Sequence, residues 1–205
     1  MAETAGKLAI VKVSGTAIDL AAETLTRITD TTWQVTTAAK QVLARDVTPV
    51  LEYNDGGGYD EITYESVDKL SGIFTFAGAG YSAGSDIRVK TGNYLPMSSA
   101  AYAHAYTYRR GVDLHDASVF LATHKNRIAG LKFASGTLSQ WDMTDTYFSD
   151  TLTAGDPVVL EFRDAAASEP LRVWALLESQ EMRAAIESTQ DEIVTFISTD
   201  VLLNL

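Results

Sequence analysis

The feature that most restricts this chain is a recurring pattern of short alternating runs separated by Gly, Asp, Asn and Ser. A side-chain period of two suits strands with one face buried, and the residues between the runs are those that make turns. Residues 7–13 read this way, with Leu8, Ile10 and the aliphatic stem of Lys12 alternating against Ala9, Val11 and Val13. Residues 48–53, 61–64, 73–76 and 86–91 form four more expected strands. Asn54-Asp55-Gly56-Gly57-Gly58 is a loop between two of them, because consecutive glycines carry the largest ordering cost.

The second half repeats the pattern more strongly. Residues 101–110 place Tyr102, His104, Tyr106 and Tyr108 on one face and Ala101, Ala103, Ala105 and Thr107 on the other. Residues 127–134, 157–163, 171–178 and 191–198 are further strands. In 171–178, Leu171, Val173, Ala175 and Leu177 oppose Trp174 and Leu176, so both faces are apolar. Such a strand sits centrally in a sandwich or at a subunit interface. Tyr102, Tyr106, Tyr108, Trp174 and Phe196 are the residues expected to pack subunit against subunit, since an aromatic side chain offers a large apolar body.

One helix is expected, N-capped by Asp142 or Thr144, with Met143, Tyr147, Phe148 and Leu152 sharing a face. Gly155 supplies its stop and Pro157 lies just beyond. Residues 118–125 are a candidate second helix, and 37–44 fit neither pattern cleanly. A boundary at 96–99 divides a strand-rich N-terminal half from the stronger C-terminal half.

Composition excludes several functions. The chain has 205 residues, 46% of them hydrophobic, which supports a packed core. It has no cysteine, hence no disulfide, thiolate metal site or cysteine nucleophile. With 16 Lys and Arg against 27 Asp and Glu the net charge is −11, the wrong sign for a protein that grips phosphates. Residues 1–15 lack a basic leader followed by an apolar stretch, and no apolar run approaches the roughly 18 residues of a membrane span. No signal peptide and no membrane association are expected.

The motifs that resemble chemistry are weak. Gly80-Tyr81-Ser82-Ala83-Gly84 matches the G-x-S-x-G nucleophile elbow, but that elbow needs a helix behind the serine. Here 86–91 read as a strand, and a Gly-rich hairpin loop is the better reading. Gly78, Gly80 and Ala83 form a loose dinucleotide fingerprint without the helix whose N-terminus would hold a pyrophosphate. His104, His115 and His124 lack zinc-site spacing. Asp55, Asp60 and Glu61 lack the spacing of a helix-loop-helix calcium site. The tyrosines of 102–108 lack the basic groove of a base-stacking platform, with only Arg109 and Arg110 nearby. The expectation is a non-enzyme with no cofactor and no metal.

The C-terminal half resembles the tail tube (major tail) proteins of long-tailed, non-contractile bacteriophages. The resemblance rests on the order of its elements. Arg127-Ile128-Ala129-Gly130-Leu131-Lys132-Phe133-Ala134-Ser135-Gly136-Thr137-Leu138 comes first, then the acidic-aromatic helix around 142–152. Gly155-Asp156-Pro157-Val158-Val159-Leu160-Glu161-Phe162 follows as turn and apolar strand. Leu171-Arg172-Val173-Trp174-Ala175-Leu176-Leu177-Glu178-Ser179 and Glu192-Ile193-Val194-Thr195-Phe196 resemble the last two strands. Residues 28–32, 64–76 and 91–96 resemble the family more loosely.

That resemblance implies a mainly β, sandwich or barrel-like tail tube fold over 1–205, with one flanking α-helix. Residues 1–96 would form a strand-rich half with possible inserted hairpins, and 97–205 the core of the tube fold. It further implies hexameric rings whose inner strands join into a ring-wide β-barrel, stacked into a conduit in a virion tail. The implied partners are the chain itself and the tape-measure, tail terminator and distal tail proteins, with synthesis in a bacterial cytoplasm. Phage DNA would pass through the lumen without specific binding, repelled by an acidic wall. A baseplate or distal tail ring, a surface β-sandwich adhesin and a serine hydrolase using Ser82 are the alternatives.

Overall fold

The structure, a computed structural model, describes residues 10–78, 81, 86–100, 103–116, 127–141, 146–163, 170–183 and 191–199. In chain order the strands are β1 (Ile10–Ser14), β2 (Ile18–Asp19), β3 (Leu25–Arg27), β4 (Thr32–Val35), β5 (Val50–Asn54), β6 (Tyr59–Ile62), β7 (Ser66–Asp68) and β8 (Ile73–Thr75). They continue with β9 (Asp86–Thr91), β10 (Asn93–Tyr94), β11 (Met97–Ser99), β12 (Ala103–Asp116) and β13 (Arg127–Gln140). Helix α1 (Tyr147–Ala154) precedes β14 (Val158–Arg163), β15 (Leu171–Arg183) and β16 (Asp191–Ser198). The protein is thus mainly β, with several antiparallel sheets and one short α-helix, and no closed barrel forms among the described residues.

The chain divides into two compact units, one of residues 1–13 with 99–205 and the other of residues 14–98. The first, the sheet unit, is built on a seven-stranded sheet in the order β11-β1-β14-β15-β16-β13-β12, antiparallel at each pair from β1 to β12. One face of this sheet presents Val11, Val13, Ala134, Leu138, Val158, Leu160, Phe162, Val173, Ala175, Val194 and Phe196, all buried in one cluster with Phe148 of α1. The alternation seen in the sequence is the reason: each second residue of β14 and β16 points into this cluster. Burying a side chain such as Phe196 is worth about 2–3 kcal/mol. Phe196 stacks on Phe162 with ring centres 5.4 Å apart, and it also requires Gly136. A Cβ there would stand 2.0 Å from the Thr107 carbonyl oxygen and 2.8 Å from Cζ of Phe196.

The second unit, inserted in the chain between β1 and the end of β11, holds a four-stranded sheet β3-β4-β8-β7, a three-stranded sheet β6-β5-β9 and the pair β10-β2. Leu25, Trp33, Val35 and Phe74 from the first sheet meet Leu51, Ile87 and Val89 from the second in a single buried cluster. The ends of the unit come together where Gly15 N–H donates to the Pro96 carbonyl at 2.8 Å.

Most expected strands form, with corrected limits. β9 and β16 coincide with the expected 86–91 and 191–198. β12, β13 and β15 outrun their expected ends at 110, 134 and 178, because ladder pairing carries them through Gly111, Gly136 and a bulge between Leu177 and Ser179. The 61–64 strand is shifted to β6, since the turn occupies 55–58 and Asn54 already pairs with Tyr59. The helix starts at Tyr147 after Thr146, whose side chain makes no cap bond, and so begins later than an N-cap at 142 or 144 implies. Asp142, Met143 and Thr144 lie outside the described residues, as does the candidate helix at 118–125. Gly155 ends α1 at φ +72°, as expected. Residues 37–44 contain a single 3₁₀ turn, Ala38–Lys40.

Candidate assembly surface

The second face of the seven-stranded sheet is chemically unlike its core face. Directly paired residues of an antiparallel sheet share a face, so register alone lays out the rows. Thr107 opposes Thr137, Thr137 opposes Thr195, and Thr195 opposes Ser179. Four hydroxyl side chains therefore cross β12, β13, β16 and β15 in one row. Thr107 and Ser179 are exposed and the two central threonines half-buried. The Thr107 and Thr137 hydroxyls are 2.8 Å apart. The next row holds Arg109, Ser135, Ile197 and Leu176, and the row on the other side Ser139, Ile193 and Glu181.

Toward β1 the same face buries charge. Glu161 is 1% exposed and accepts from Arg172 Nε and Arg163 Nε, both at 2.8 Å, with Lys12 Nζ at 3.3 Å. Burial alone would push the Glu161 carboxyl up, but Arg172, then Arg163 and Lys12, outweigh it and hold the carboxyl below the ordinary range. Three cations around one carboxylate pin β1, β14 and β15 in register. Glu192, on the core face, is fully buried and accepts from Gln140 Nε2 at 2.6 Å and Gln180 Nε2 at 2.5 Å.

The edges of the sheet are unequal. At one end stands β11, three residues long; at the other stands β12, fourteen residues long and paired only with β13 among the described residues. A long open edge is a row of unpaired backbone donors and acceptors ready for another strand. β12 also carries orphan polar atoms. The Tyr108 hydroxyl and His104 Nδ1 are buried without a hydrogen-bond partner among the described residues, as is Asp191 Oδ1, 3.6 Å from His104 Nε2.

The expected packing residues fall in two groups. Tyr106 and Tyr108 lie half-buried on the core face of β12, with ring centres 4.9 and 6.0 Å from that of Phe162. Phe196 is fully buried inside its own subunit. Trp174, 6% exposed, lies on the second face opposite Val159. Tyr102 lies outside the described residues. The sequence reading missed Trp141, which is 53% exposed and stacks on His104 with ring centres 4.4 Å apart. Its only sequence signal is an aromatic residue at the end of a polar strand.

The chemical motifs do not assemble into a site. Ser82 lies outside the described residues, and the element after it is strand β9, where a nucleophile elbow needs a helix. Among the described residues no three His, Asp or Glu side chains gather to hold a metal ion, and no helix is long and apolar enough to cross a membrane.

No family model matches this chain, and no curated protein matches it in sequence. Among solved structures it is similar to a chain in the C6-symmetric tail of an empty gene transfer agent particle, with 11% identity and a TM-score of 0.43 over 52% of this chain and 84% of that one. It is also similar to a chain in the virion of a native gene transfer agent particle, with 11% identity and a TM-score of 0.42 over 51% and 85%. The likeness is distant and spans about half of the chain.

Proposed function

We propose that this chain is the structural subunit of a phage tail tube, forming hexameric rings that stack into the conduit for DNA ejection. The observation that carries this reading is the sheet unit itself. The segments whose order resembles tail tube proteins are strands β13, β14, β15 and β16 of one sheet, with α1 against its core face. That sheet ends on the fourteen-residue edge of β12. Ring closure through this edge would satisfy its backbone groups and remove an aggregation hazard. Tyr106, Tyr108 and Trp174 would hold the sheet flat against its core and its neighbour, with Phe196 as the inner support. Tape-measure, terminator and distal tail proteins would meet the tube at its ends.

In this reading DNA passes without specific binding. Six copies carry 6 × −11 = −66 formal charges, and any lumenal share of them would repel phosphate at Debye-length range. The hydroxyl row Thr107–Thr137–Thr195–Ser179 is neutral, so an assembled tube with that row inward would have a neutral wall there and would overturn the acidic-lumen expectation.

Negative-stain electron microscopy of the concentrated protein tests the reading. Hollow filaments of uniform diameter built from stacked rings are the expected result. Isolated rings that never stack would replace it with the baseplate or distal tail alternative.

A further inference from the structure

Where β12 begins, side chains from three neighbouring segments of the sheet unit meet in a small cluster. The pairing of β12 with β13 passes from Ala103↔Gln140 to Ala105↔Ser139, so His104 is the extra residue of a β-bulge. A bulge re-aims a side chain out of the regular alternation. The His104 ring stacks on Trp141, which directly follows β13, with centres 4.4 Å apart and planes 13° apart. Its Nε2 stands 3.6 Å from Oδ1 of Asp191, the first residue of β16. Stacking holds the imidazole by its face, and the nitrogen in the ring plane is left directed at the carboxylate.

The separation of the two atoms is informative. At 3.6 Å they are too far apart for a hydrogen bond. They are too close for a water between them, since two hydrogen bonds of about 2.8 Å at a tetrahedral angle span roughly 4.6 Å. Two ligands of one zinc-sized ion, each about 2.1 Å from it at a tetrahedral angle, stand about 3.4 Å apart. Asp191 Oδ1 is buried and accepts no hydrogen bond among the described residues, an arrangement that costs free energy unless a cation or donor meets it. The His104 and Asp191 side chains are nevertheless 24% and 36% exposed, so solvent reaches the pair from its open side. Glu192, next in the chain, adds no third ligand, because its carboxylate accepts from Gln140 and Gln180.

We infer that His104 and Asp191 form a binding site for a divalent transition-metal ion, with water filling the remaining positions. The site is independent of the tube-subunit reading. One imidazole nitrogen and one carboxylate oxygen suit Cu2+ and Zn2+, whereas Mg2+ and Ca2+ bind through several oxygens. Tightly bound metal histidines donate their other N–H to a second partner, and His104 Nδ1 has none among the described residues. With two protein ligands and no such support the ion exchanges readily. When bound, it ties the first turn of pairing in β12 to β16 across the end of β13, and so stabilises the fold by mass action. Spacing in the sequence could not show the pair, because its two residues come from distant strands that meet only through β13.

The test titrates the metal-free full-length protein with Cu2+, Zn2+ and Mg2+ chlorides, reading tryptophan fluorescence and the thermal midpoint. Trp33 and Trp174 are buried, and Trp141→Phe assigns the signal of Trp141. The expected results are saturable quenching by one Cu2+ per chain, a higher midpoint with Zn2+, reversal of both by a chelator, and indifference to Mg2+. His104→Gln and Asp191→Asn should each weaken Cu2+ and Zn2+ binding by about tenfold or more. Trp141→Phe should lose the quenching and keep the rise in midpoint. Binding of parent strength in folded His104→Gln overturns the site and assigns the ion to another group, and parent strength in Asp191→Asn overturns the pair. Absence of saturable binding by either transition metal overturns the inference as well. Should a variant fail to fold, carbethoxylation of the parent's histidines decides, mapped by mass spectrometry. Zn2+ should protect His104 there, and a His104 reactivity unchanged by Zn2+ overturns the inference.

Discussion

In the inserted unit the edge strands β3, β7, β6 and β9 run for three, three, four and six residues, whereas the sheet unit ends on β12, fourteen residues long. The inserted unit closes its apolar residues between two small sheets, and its charged pairs run from the exposed Lys90 with Glu61 to Arg88 with Glu52, whose carboxylate is buried. The sheet unit buries Glu161 and Glu192 almost completely and leaves the fourteen-residue β12 without an outer partner strand among the described residues. Short edges are one way a β protein avoids pairing with others. The inserted unit ends on short edges, and in the proposed tube a neighbouring subunit would finish the sheet unit.

The largest effects test whether the two units are separate bodies at all. Phe196→Ala empties the core of the sheet unit, and Trp33→Ala empties that of the inserted unit; both residues are at most 2% exposed. Each should cost about 4 kcal/mol, the usual penalty for truncating a buried aromatic side chain. Amide hydrogen exchange should show Phe196→Ala loosening β13, β15 and β16 while β4, β5 and β8 keep their protection, with the reverse for Trp33→Ala. Equal loosening of both units by either variant would mean one cooperative fold and would break the comparison.

The buried charges come next. Glu161→Gln removes the carboxylate that Arg172, Arg163 and Lys12 surround and should cost about 3 kcal/mol at neutral pH, because it leaves cations without their counter-charge. The folded carboxyl is held below its ordinary range, so its stabilisation is present above the unfolded value and is lost as the pH falls through the folded one. The gap between parent and variant in denaturant midpoint should therefore narrow in acid below the ordinary glutamate range. Glu61→Gln in the inserted unit breaks an exposed pair and should leave the midpoint unchanged. A loss at Glu61 equal to that at Glu161 would erase the distinction drawn between the units.

What the sequence makes legible follows the same division. Strict alternation marks β9 and β16 to the residue, and Gly155 followed by Pro157 marks the end of α1. The glycines at 111 and 136 concealed the true length of β12 and β13, since glycine usually weakens a strand. Here Phe133 and Phe196 stand over the places where a Cβ would be, a cross-strand fit that no local pattern carries. Strands of two or three residues, such as β2, β7, β10 and β11, exist only because a partner pairs with them. Glu161 was hidden for a related reason. In a strand buried on both faces, one carboxylate reads as an interruption until β15 brings Arg172 beside it. The hydroxyl row is likewise a property of register, with its four residues drawn from four distant segments.

The smallest effects compare two glycines in the same left-handed backbone region. Gly155 closes α1 in the sheet unit at φ +72°, and nothing stands within 4 Å of a Cβ placed there. Gly72 turns the chain in the inserted unit at φ +65°, where a Cβ would lie 2.7 Å from the Gln41 carbonyl oxygen. Gly155→Ala then bears only the conformational penalty of an alanine at positive φ, about 1 kcal/mol. Gly72→Ala adds a clash with backbone that has little room to retreat, and should cost about 2 kcal/mol. Denaturant midpoints of the two variants measure the difference directly. An equal loss would mean that the Gln41 segment gives way freely and that the inserted unit is less tightly closed than its short edges and shared core imply. A larger loss at Gly72 would place the more rigid packing in the inserted unit and the more adaptable edges in the sheet unit.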